Sequence, residues 1–412
     1  MPWPGTVGSV PASSFPLGHA VTRVDLETDP HPHLARLREH EPVSWLPALN
    51  GWLVTRRDLA LLAMRDTATF TVDDPRFSTA RVVGPSMLSL DGAQHTRHRA
   101  PFTGGFSRAV VADRLGAFVA DQAGTLLARL RPAGTAELRT AFAGPIAVAV
   151  VADALGLGAT DADEVLSWYR SIVGAVSALT GEQGHRPDHA GRRDAVTAGA
   201  QAFGALSASL RAVLDGGGHS LLAHAATAAG AGNALSTDEV ISNAAVLMFG
   251  GIETTEGMIA NALLHLLRQP DQFSLIQRDP SLLANAVEES LRLEPAAALV
   301  DRYAVRDTEF GGAAIKRGDL VSVSLAAAGR DPATFGRPDE FDVRRPNARM
   351  HLAFAHGPHF CLGAHLARLE TVTAVRAACQ LPGLRLDPDR PSVIRGLVFR
   401  KPVTLWVRWA PE

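Results

Sequence analysis

The spacing of apolar residues changes along the chain and predicts a mainly helical protein with a small β portion. Apolar positions recur with helical spacing over residues 30–41 and 59–66, whereas residues 43–45 and 51–55 alternate as short strands do. Residues 91–214 are rich in Ala and Leu and keep the helical spacing over most of their length. The first half of the chain therefore predicts many helices beside two short strands.

Several segments interrupt this pattern. Residues 181–187, 215–219 and 230–235 are rich in glycine and polar residues, which predicts breaks between helices. Residues 70–90 are apolar but follow neither the helical nor the strand period. An apolar segment of this kind is suited to lining a pocket.

A long helix is predicted between Ser236 and Pro270. Ser236 and Glu239 have the spacing of a capping box, in which each side chain bonds the backbone N–H of the other residue. Proline is absent from residue 237 to residue 269. At a rise of ~1.5 Å per residue the helix is roughly 50 Å long, which is enough to cross a whole domain.

The remaining segments complete the predicted organisation. Residues 303–325 alternate in strand fashion, residues 364–379 have a helical pattern, and residues 397–409 are a candidate terminal hairpin. Residues 1–20 are rich in Pro, Gly and Ser and predict a flexible arm. Without an internal repeat or a low-complexity linker, residues 21–412 are predicted to form one domain.

Composition excludes several classes of function. The formal net charge is −2 and 46% of the residues are hydrophobic, which predicts a large core and gives no overall charge for binding nucleic acid. The N-terminus lacks an apolar stretch of signal or anchor length, which predicts a cytoplasmic protein that does not attach to a membrane. The two cysteines, Cys361 and Cys379, lack zinc-site spacing and suit a reducing compartment.

Cys361 has the most distinctive surroundings in the chain. It lies in Phe354-Ala-His-Gly357-Pro-His359-Phe-Cys361-Leu-Gly363, directly before a predicted helix. The glycines let the loop approach a flat ligand, and the helix start favours a thiolate, which is a soft metal ligand. Taken alone, however, a single cysteine before a helix is more often a small buried apolar residue.

A second motif lies midway along the long helix, where Gly250 and Gly251 precede Glu253 and Thr254. Each glycine inside a helix costs about 1 kcal/mol relative to alanine, so another interaction should offset the pair. Close packing of a second helix is one explanation, and room for a planar cofactor is the other. Thr254 can bond back to the carbonyl four residues earlier, and Glu253 can relay protons or form a structural salt bridge.

Together these motifs resemble those of the cytochrome P450 family, over residues 30–409. The resemblance implies a long central helix over a haem and the Cys361 loop on the opposite face. It implies haem b with Cys361 as the axial thiolate ligand, and it assigns oxygen activation to Thr254 and proton supply to Glu253. The remaining cofactor-binding positions that it implies are Phe354, Gly363, Gly250 and Gly251, together with four propionate anchors, His95, Arg99, Arg302 and His359.

Ordinary surface cations are the alternative for the four anchors. His95 and Arg99 are four residues apart and share one face of a predicted helix. His351, His356 and His365 are taken as solvent-exposed or surface residues. Residues 82–91 and 249–256 also resemble haem domains that are fused to reductases, so the chain is either a full-length protein or an excised domain.

The family resemblance also implies a structural lock. Glu289 and Arg292 match its Glu-x-x-Arg pair, and Arg345, in preference to Arg344, matches the arginine that joins them. An isolated acid–arginine pair on a helix is usually a solvated surface pair worth a few tenths of a kcal/mol. Gly329 stands where the family usually has asparagine, with no evident consequence.

The implied activity is that of a monomeric monooxygenase, acting with O2 on a small or medium apolar or aromatic substrate. The chain lacks a nucleotide fingerprint and a cysteine cluster, so electrons would come from a ferredoxin or flavodoxin-type donor and its reductase, or from a fused reductase that is absent from this chain. A peroxide-driven peroxygenase and a non-enzymatic haem sensor are the alternatives. The candidate pocket residues are Val82, Val83, Met87, Leu88, Ala245, Phe249, Leu299, Val300, Leu397 and Val398. The alternative is that several of them are simply core residues.

Overall fold

The structure is a computed structural model that describes residue 11 and residues 13–158, 160–180, 189–217, 220–227 and 235–411. The helices are α1 (Pro16–Ala20), α2 (Arg23–Thr28), α3 (His31–His40), α4 (Arg57–Arg65), α5 (Ser78–Val83), α6 (Gly92–Thr103), α7 (Arg108–Leu130), α8 (Gly144–Leu155), α9 (Ala162–Thr180), α10 (His189–Asp215), α11 (Leu221–Thr227), α12 (Thr237–Arg268), α13 (Pro270–Arg278), α14 (Leu283–Leu293), α15 (Leu325–Ala328) and α16 (Ala364–Ala378). The strands are β1 (Val43–Leu46), β2 (Gly51–Val54), β3 (Phe70–Thr71), β4 (Thr135–Glu137), β5 (Leu299–Ala304), β6 (Thr308–Phe310), β7 (Ala313–Ile315), β8 (Leu320–Ser324), β9 (Arg385–Leu386), β10 (Ile394–Arg395), β11 (Lys401–Pro402) and β12 (Trp406–Arg408). The predicted mainly α fold with a small β portion is confirmed.

The described residues group into two compact units. Unit 1 takes its residues from Met1–Val72, Ser274–Cys361 and Val393–Val403. Unit 2 takes its residues from Asp73–Phe273, Leu362–Ser392 and Thr404–Glu412.

Unit 1 is built around a five-stranded sheet in the order β1-β2-β8-β5-β3. Only the pairing of β2 with β8 is parallel within this sheet; the other pairings are antiparallel. Its strands bury Trp52, Val54 and Phe70 in a core that also contains Met64 of α4. The alternation over residues 303–325 thus corresponds to real strands, β5 to β8.

Unit 2 is a helical assembly in which α12 is the longest described helix, with 32 residues. The capping box at its start is confirmed, since the Ser236 N–H donates to the Glu239 carboxylate at 2.8 Å and the Glu239 N–H donates to the Ser236 hydroxyl at 3.3 Å. Helix α12 packs against α8 and α16, and α7 packs against α16. These contacts bury most of the side chains of α12.

One expectation from the sequence is wrong, and three others fall wholly or mostly outside the described residues. The hairpin over residues 397–409 is wrong, because β11 pairs with β10, whereas β12 pairs with β4 and β9. The break at 181–187 and most of the loop at 230–235 lie outside the described residues. Most of the predicted arm also lies outside them, but its end forms α1, where the Leu17 and Gly18 N–H groups donate to Glu41.

Across the described ranges, no helix is both long enough and apolar enough to cross a membrane.

Candidate functional site

The candidate residues fall in both units. In unit 1, Cys361 is exposed and follows a short 3₁₀ turn, Gly357–His359. The Cys361 N–H donates to the Phe354 carbonyl at 2.9 Å, and the Phe360 N–H donates to the Gly357 carbonyl at 3.0 Å. These two bonds fold the loop back on itself and leave the thiol on its surface.

Two residues give this loop its unusual backbone. Gly357 has a φ of 75°, and a Cβ at this position would lie 2.8 Å from the Met64 carbonyl oxygen, so only glycine fits. Ala355 has a φ of 57°, a left-handed conformation that costs an alanine about 1–2 kcal/mol. The surrounding packing therefore holds the loop in a conformation that the chain would otherwise avoid.

Glu289, Arg292 and Arg345 form a buried ionic cluster in unit 1. Arg292 binds the Glu289 carboxylate through two nitrogens at 2.7 and 2.8 Å. Arg345 Nε binds the same carboxylate at 2.8 Å, while Arg344 is exposed. The Glu289 and Arg292 side chains have no exposed surface, so this pair is unlike a solvated helix pair.

Backbone carbonyls satisfy the remaining donors of Arg292. Its two terminal nitrogens donate to the carbonyls of Gly329, Pro338 and Glu340 at 2.8, 2.6 and 2.9 Å. Together with the two bonds to Glu289, these use all of the roughly five N–H donors of a guanidinium group. The structure explains why position 329 is a glycine, which the sequence alone did not. A Cβ there would lie 2.1 Å from the Arg292 carbonyl oxygen.

His351 is a correction to the sequence analysis, which placed it at the surface. It is 8% exposed, and its Nε2 lies 2.9 Å from a carboxylate oxygen of Glu288. The Ala353 N–H donates to Nδ1 at 3.1 Å, so the His351 proton is on Nε2 and is donated to Glu288. The ring also packs against Phe354 with a centroid distance of 5.8 Å. His351 therefore supports the segment that carries Cys361.

Two predicted anchors also lie in unit 1. Arg302, on β5, is 4% exposed and donates to the Asp301 carbonyl at 2.7 Å. The alternative for Arg302 was an ordinary surface cation. Burial to this degree argues against that alternative, because surface cations are mostly exposed. His359 is partly buried in the 3₁₀ turn before Cys361.

In unit 2, the paired glycines of α12 have different surroundings. A Cβ at Gly251 would lie 2.5 Å from Cγ2 of Val151 on α8, so this glycine permits a close helix crossing. Apart from its chain neighbours and the nearby backbone of α12 itself, a Cβ at Gly250 would have no atom of the described residues within 4 Å. The packing explanation therefore holds for Gly251, while Gly250 borders open space.

Thr254 and Glu253 have well-defined partners beside Gly250. The Thr254 hydroxyl donates to the Gly250 carbonyl at 2.5 Å, which is the backbone interaction expected from the sequence. The Tyr169 hydroxyl on α9 donates to the Glu253 carboxylate at 2.5 Å. Burial, together with the negative charge of Glu253, raises the pKa of Tyr169 far above its usual range, so the phenol stays protonated as a donor.

Sequence reasoning missed Tyr169. The chain contains only two tyrosines, so a tyrosine within an apolar helix was a signal that could have drawn attention to it. The neighbouring acid Glu256 forms an ion pair with Arg139 at 2.7 Å. The acidic face of α12 is thus held both by a phenol and by a guanidinium.

His95 and Arg99 lie on α6, also in unit 2. His95 is 5% exposed and Arg99 is partly buried, so neither is a fully solvated cation. Their spacing of one helical turn places them on the same side of α6, as predicted.

The candidate pocket residues are buried to different degrees. Val83, Met87 and Ala245 in unit 2 are almost fully buried, whereas Val82, Leu88 and Phe249 retain some exposure. In unit 1, partly buried Val300 packs against the core beneath the five-stranded sheet, and Leu299 and Leu397 pack against a second core cluster. Val398 is also partly buried. For Val300, Leu299 and Leu397 these contacts favour a role in the core.

Glu370 is a buried acid on α16 that the sequence analysis did not single out. It is 2% exposed, and no donor among the described residues bonds its Oε2. Burial raises the pKa of Glu370 well above its usual range, so the folded protein holds it as a neutral acid.

This acid predicts a pH dependence of stability. Above about pH 4.3 the unfolded chain loses the Glu370 proton that the folded chain keeps. The free energy of unfolding should therefore fall with rising pH up to the folded-state pKa, by at most about 1.4 kcal/mol per pH unit. Glu370→Gln should reduce this slope in urea unfolding curves measured between pH 5 and 8. The exposed Glu309→Gln serves as a control, and equal slopes for Glu370→Gln and the unmodified protein would contradict the assignment.

The chain is similar to proteins of one known family. The family model for cytochrome P450 matches residues 214–378. Cytochrome P450 107B1 from Saccharopolyspora erythraea is 34% identical over 382 residues, which cover 88% of this chain and 90% of that protein. Vitamin D(3) 25-hydroxylase from Pseudonocardia autotrophica is 32% identical over 405 residues, covering 93% and 95%. The crystal structure of CalO2 matches with a TM-score of 0.84 and 31% identity, covering 93% of this chain and 96% of that one.

Proposed function

The chain belongs to the cytochrome P450 family, and from this premise we propose that it is a haem–thiolate monooxygenase whose iron is ligated by Cys361. The observation that carries the proposal is the position of Cys361, an exposed residue on a loop whose backbone is partly left-handed and is closed by two hydrogen bonds. A cysteine that is exposed in this way can offer its sulfur to a metal without rearrangement of the backbone.

The chemistry of the residues predicted to bind the cofactor suits a haem. In unit 2, Gly250 borders open space on α12, and His95 and Arg99 are donor groups of the kind that a propionate requires. In unit 1, Arg302 and His359 are donor groups of the same kind. When bound, haem with a thiolate ligand supplies the reduction of dioxygen and the oxidation of substrate. The chain itself has to bind the haem and the substrate, orient them relative to each other, and supply protons for the reaction.

Proton supply is assigned to Glu253 and Thr254. The Thr254 hydroxyl can hold a water molecule because its oxygen keeps acceptor capacity while its proton is donated to Gly250. Glu253 can exchange protons, and the Tyr169 phenol holds one of its carboxylate oxygens in place. Tyr169 is therefore a positioning residue in the proposed relay.

Thr254→Ala should uncouple electron use from product formation. Loss of the hydroxyl removes an ordered proton path, so product per NADPH should fall by about tenfold or more while hydrogen peroxide rises. The measurement is a parallel assay of NADPH, peroxide and product.

The matched control is Thr255→Ala, because the adjacent Thr255 is buried and has no assigned role in catalysis. Unchanged coupling in Thr254→Ala would refute the role given to Thr254. Equal loss in both variants would indicate a general effect on α12.

The proposed substrate is a small or medium apolar or aromatic molecule. The pocket residues assigned to unit 2, Val82, Val83, Met87, Leu88, Ala245 and Phe249, are apolar and uncharged. A relative named vitamin D(3) 25-hydroxylase supports hydroxylation as the type of reaction. The proposed electron source is a ferredoxin or flavodoxin-type protein with its reductase.

Reconstitution tests this function. The purified haem-loaded protein, a surrogate ferredoxin and its reductase should consume NADPH and hydroxylate members of a panel of apolar and aromatic compounds. Product formed with hydrogen peroxide but not with the redox chain would instead indicate a peroxygenase. No product under either condition would overturn the monooxygenase proposal.

A further inference from the structure

One buried side chain fastens the loop between α5 and α6 to α12. Asn243, on α12, has no exposed surface, and its Oδ1 accepts a hydrogen bond of 2.8 Å from the Met87 backbone N–H. The loop turns tightly here, because the Ser89 N–H donates to the Ser86 carbonyl at 3.0 Å. Asn243 thus clamps a segment, residues 84–90, which lies between regular elements.

The partners of Asn243 fix the orientation of its amide. Because the Met87 N–H is a donor, Oδ1 must face it, and Nδ2 then donates to the Glu239 carbonyl at 2.7 Å. The same Nδ2 lies 3.0 Å from Nδ1 of His98, which must therefore accept. A neutral His98 then carries its proton on Nε2, which lies 3.4 Å from the Glu239 carboxylate, so that the 3.2 Å approach of Arg97 Nη2 to Nε2 is a contact between two donors and not a hydrogen bond.

Charged residues complete this network at the start of α12. Arg97 forms an ion pair with Glu239, which also accepts from the Ser236 N–H at 2.8 Å. His98 is 1% exposed, and burial lowers its pKa, which keeps the imidazole neutral and able to accept from Asn243. A connected polar network therefore runs from the cap of α12 to the backbone of Met87.

Gly84, at the other end of the loop, packs closely against Ser242, which precedes Asn243 on α12. Its φ is 85°, and a Cβ there would lie 3.0 Å from the Ser242 hydroxyl oxygen. A side chain at position 84 would therefore be strained and would push against the helix. The loop is seated on two consecutive residues, Ser242 and Asn243.

We propose that Asn243 is a specificity-determining positioning residue, which fixes residues 84–90 as one wall of the substrate pocket. This inference rests on the proposed function, which assigns Met87 and Leu88 to that wall. Asn243 acts through the Met87 backbone rather than through contact with substrate. Without the clamp, the loop is free to shift, and selection by ligand size weakens.

Hydrogen exchange tests the clamp directly and requires no turnover. In Asn243→Leu, amide exchange in a peptide covering residues 84–90 should accelerate by about tenfold or more, because the Met87 N–H loses its acceptor. Asn261→Leu is the matched control, since Asn261 is a buried asparagine 18 residues further along the same helix. The control should leave exchange in this peptide unchanged.

Ligand binding tests the effect on specificity. Imidazole and 4-phenylimidazole are titrated into the haem-loaded protein, and their affinity ratio reports on the pocket wall because only the larger ligand reaches beyond the iron. In Asn243→Leu the affinity for 4-phenylimidazole relative to imidazole should fall by about threefold or more, because the larger ligand loses apolar contact. In Asn261→Leu the ratio should not change.

Gly84→Ala provides a second variant that leaves the α12 core intact, in case Asn243→Leu does not fold. It should show the same faster exchange and the same altered ratio. Unchanged exchange over residues 84–90 in the folded variants would overturn the clamp. Faster exchange with an unchanged ratio would overturn its role in specificity. Neither result depends on turnover, so failure of the monooxygenase assay is distinguishable from failure of this inference.

Discussion

Cys361→Ala is expected to abolish monooxygenase turnover, with a loss of about a thousandfold or more. In the proposed site the Cys361 thiolate donates electron density to the iron, and no other side chain of its loop offers an equivalent donor. The reduced, carbon monoxide-bound protein should show the red-shifted Soret band of thiolate ligation, and this band should be absent from Cys361→Ala. The measurement combines that spectrum with product formation by the reconstituted chain.

Cys379→Ala is the matched control for this prediction. Burial raises the pKa of the Cys379 thiol to about 12, so this sulfur stays protonated and is unsuited to ligating a metal. The control should retain both the band and the turnover. A band at the histidine-ligated position in the unmodified protein would refute the assignment of Cys361.

Arg292→Met is expected to cause the largest loss of stability, about 3–5 kcal/mol. The substitution leaves the Glu289 carboxylate buried with only part of its ionic partners and removes the donors to three backbone carbonyls. Urea unfolding of the purified protein, followed by circular dichroism, measures the change. Haem retention should also fall, because the same cluster orders the segment before the Cys361 loop.

Arg337→Met is the matched control, because Arg337 also pairs with a glutamate three residues away. Its side chain is 68% exposed, and such a pair contributes at most about 1 kcal/mol. Similar losses in the two variants would contradict the role given to the buried cluster.

Local patterns were enough to predict several parts of this molecule. The capping box at Ser236 and Glu239 involves residues three positions apart, so its geometry is contained in the sequence itself. The bond from Thr254 to the Gly250 carbonyl follows from helical spacing in the same way. The preference for Arg345 over Arg344 relied on the family resemblance, and the structure places Arg345 on Glu289.

The contacts that sequence reasoning missed join residues far apart in the chain. Tyr169 and Glu253 are 84 positions apart, His351 and Glu288 are 63 apart, and Met87 and Asn243 are 156 apart. No local period encodes such pairs, since they depend on how helices and loops pack. The incorrect terminal hairpin has the same origin, because alternation indicates a strand but does not identify its partner.

The two adjacent glycines of α12, Gly250 and Gly251, differ in how far they can be substituted in directed evolution. At Gly250 a small side chain meets open space among the described residues, and an alanine there would also favour the helix by about 1 kcal/mol. At Gly251 the same methyl group would collide with Val151, so variation there has to be coupled to a smaller residue on α8. Variation at position 251 should therefore be made only together with position 151, whereas at position 250 the proposed haem, rather than helix packing, would limit the size of the side chain.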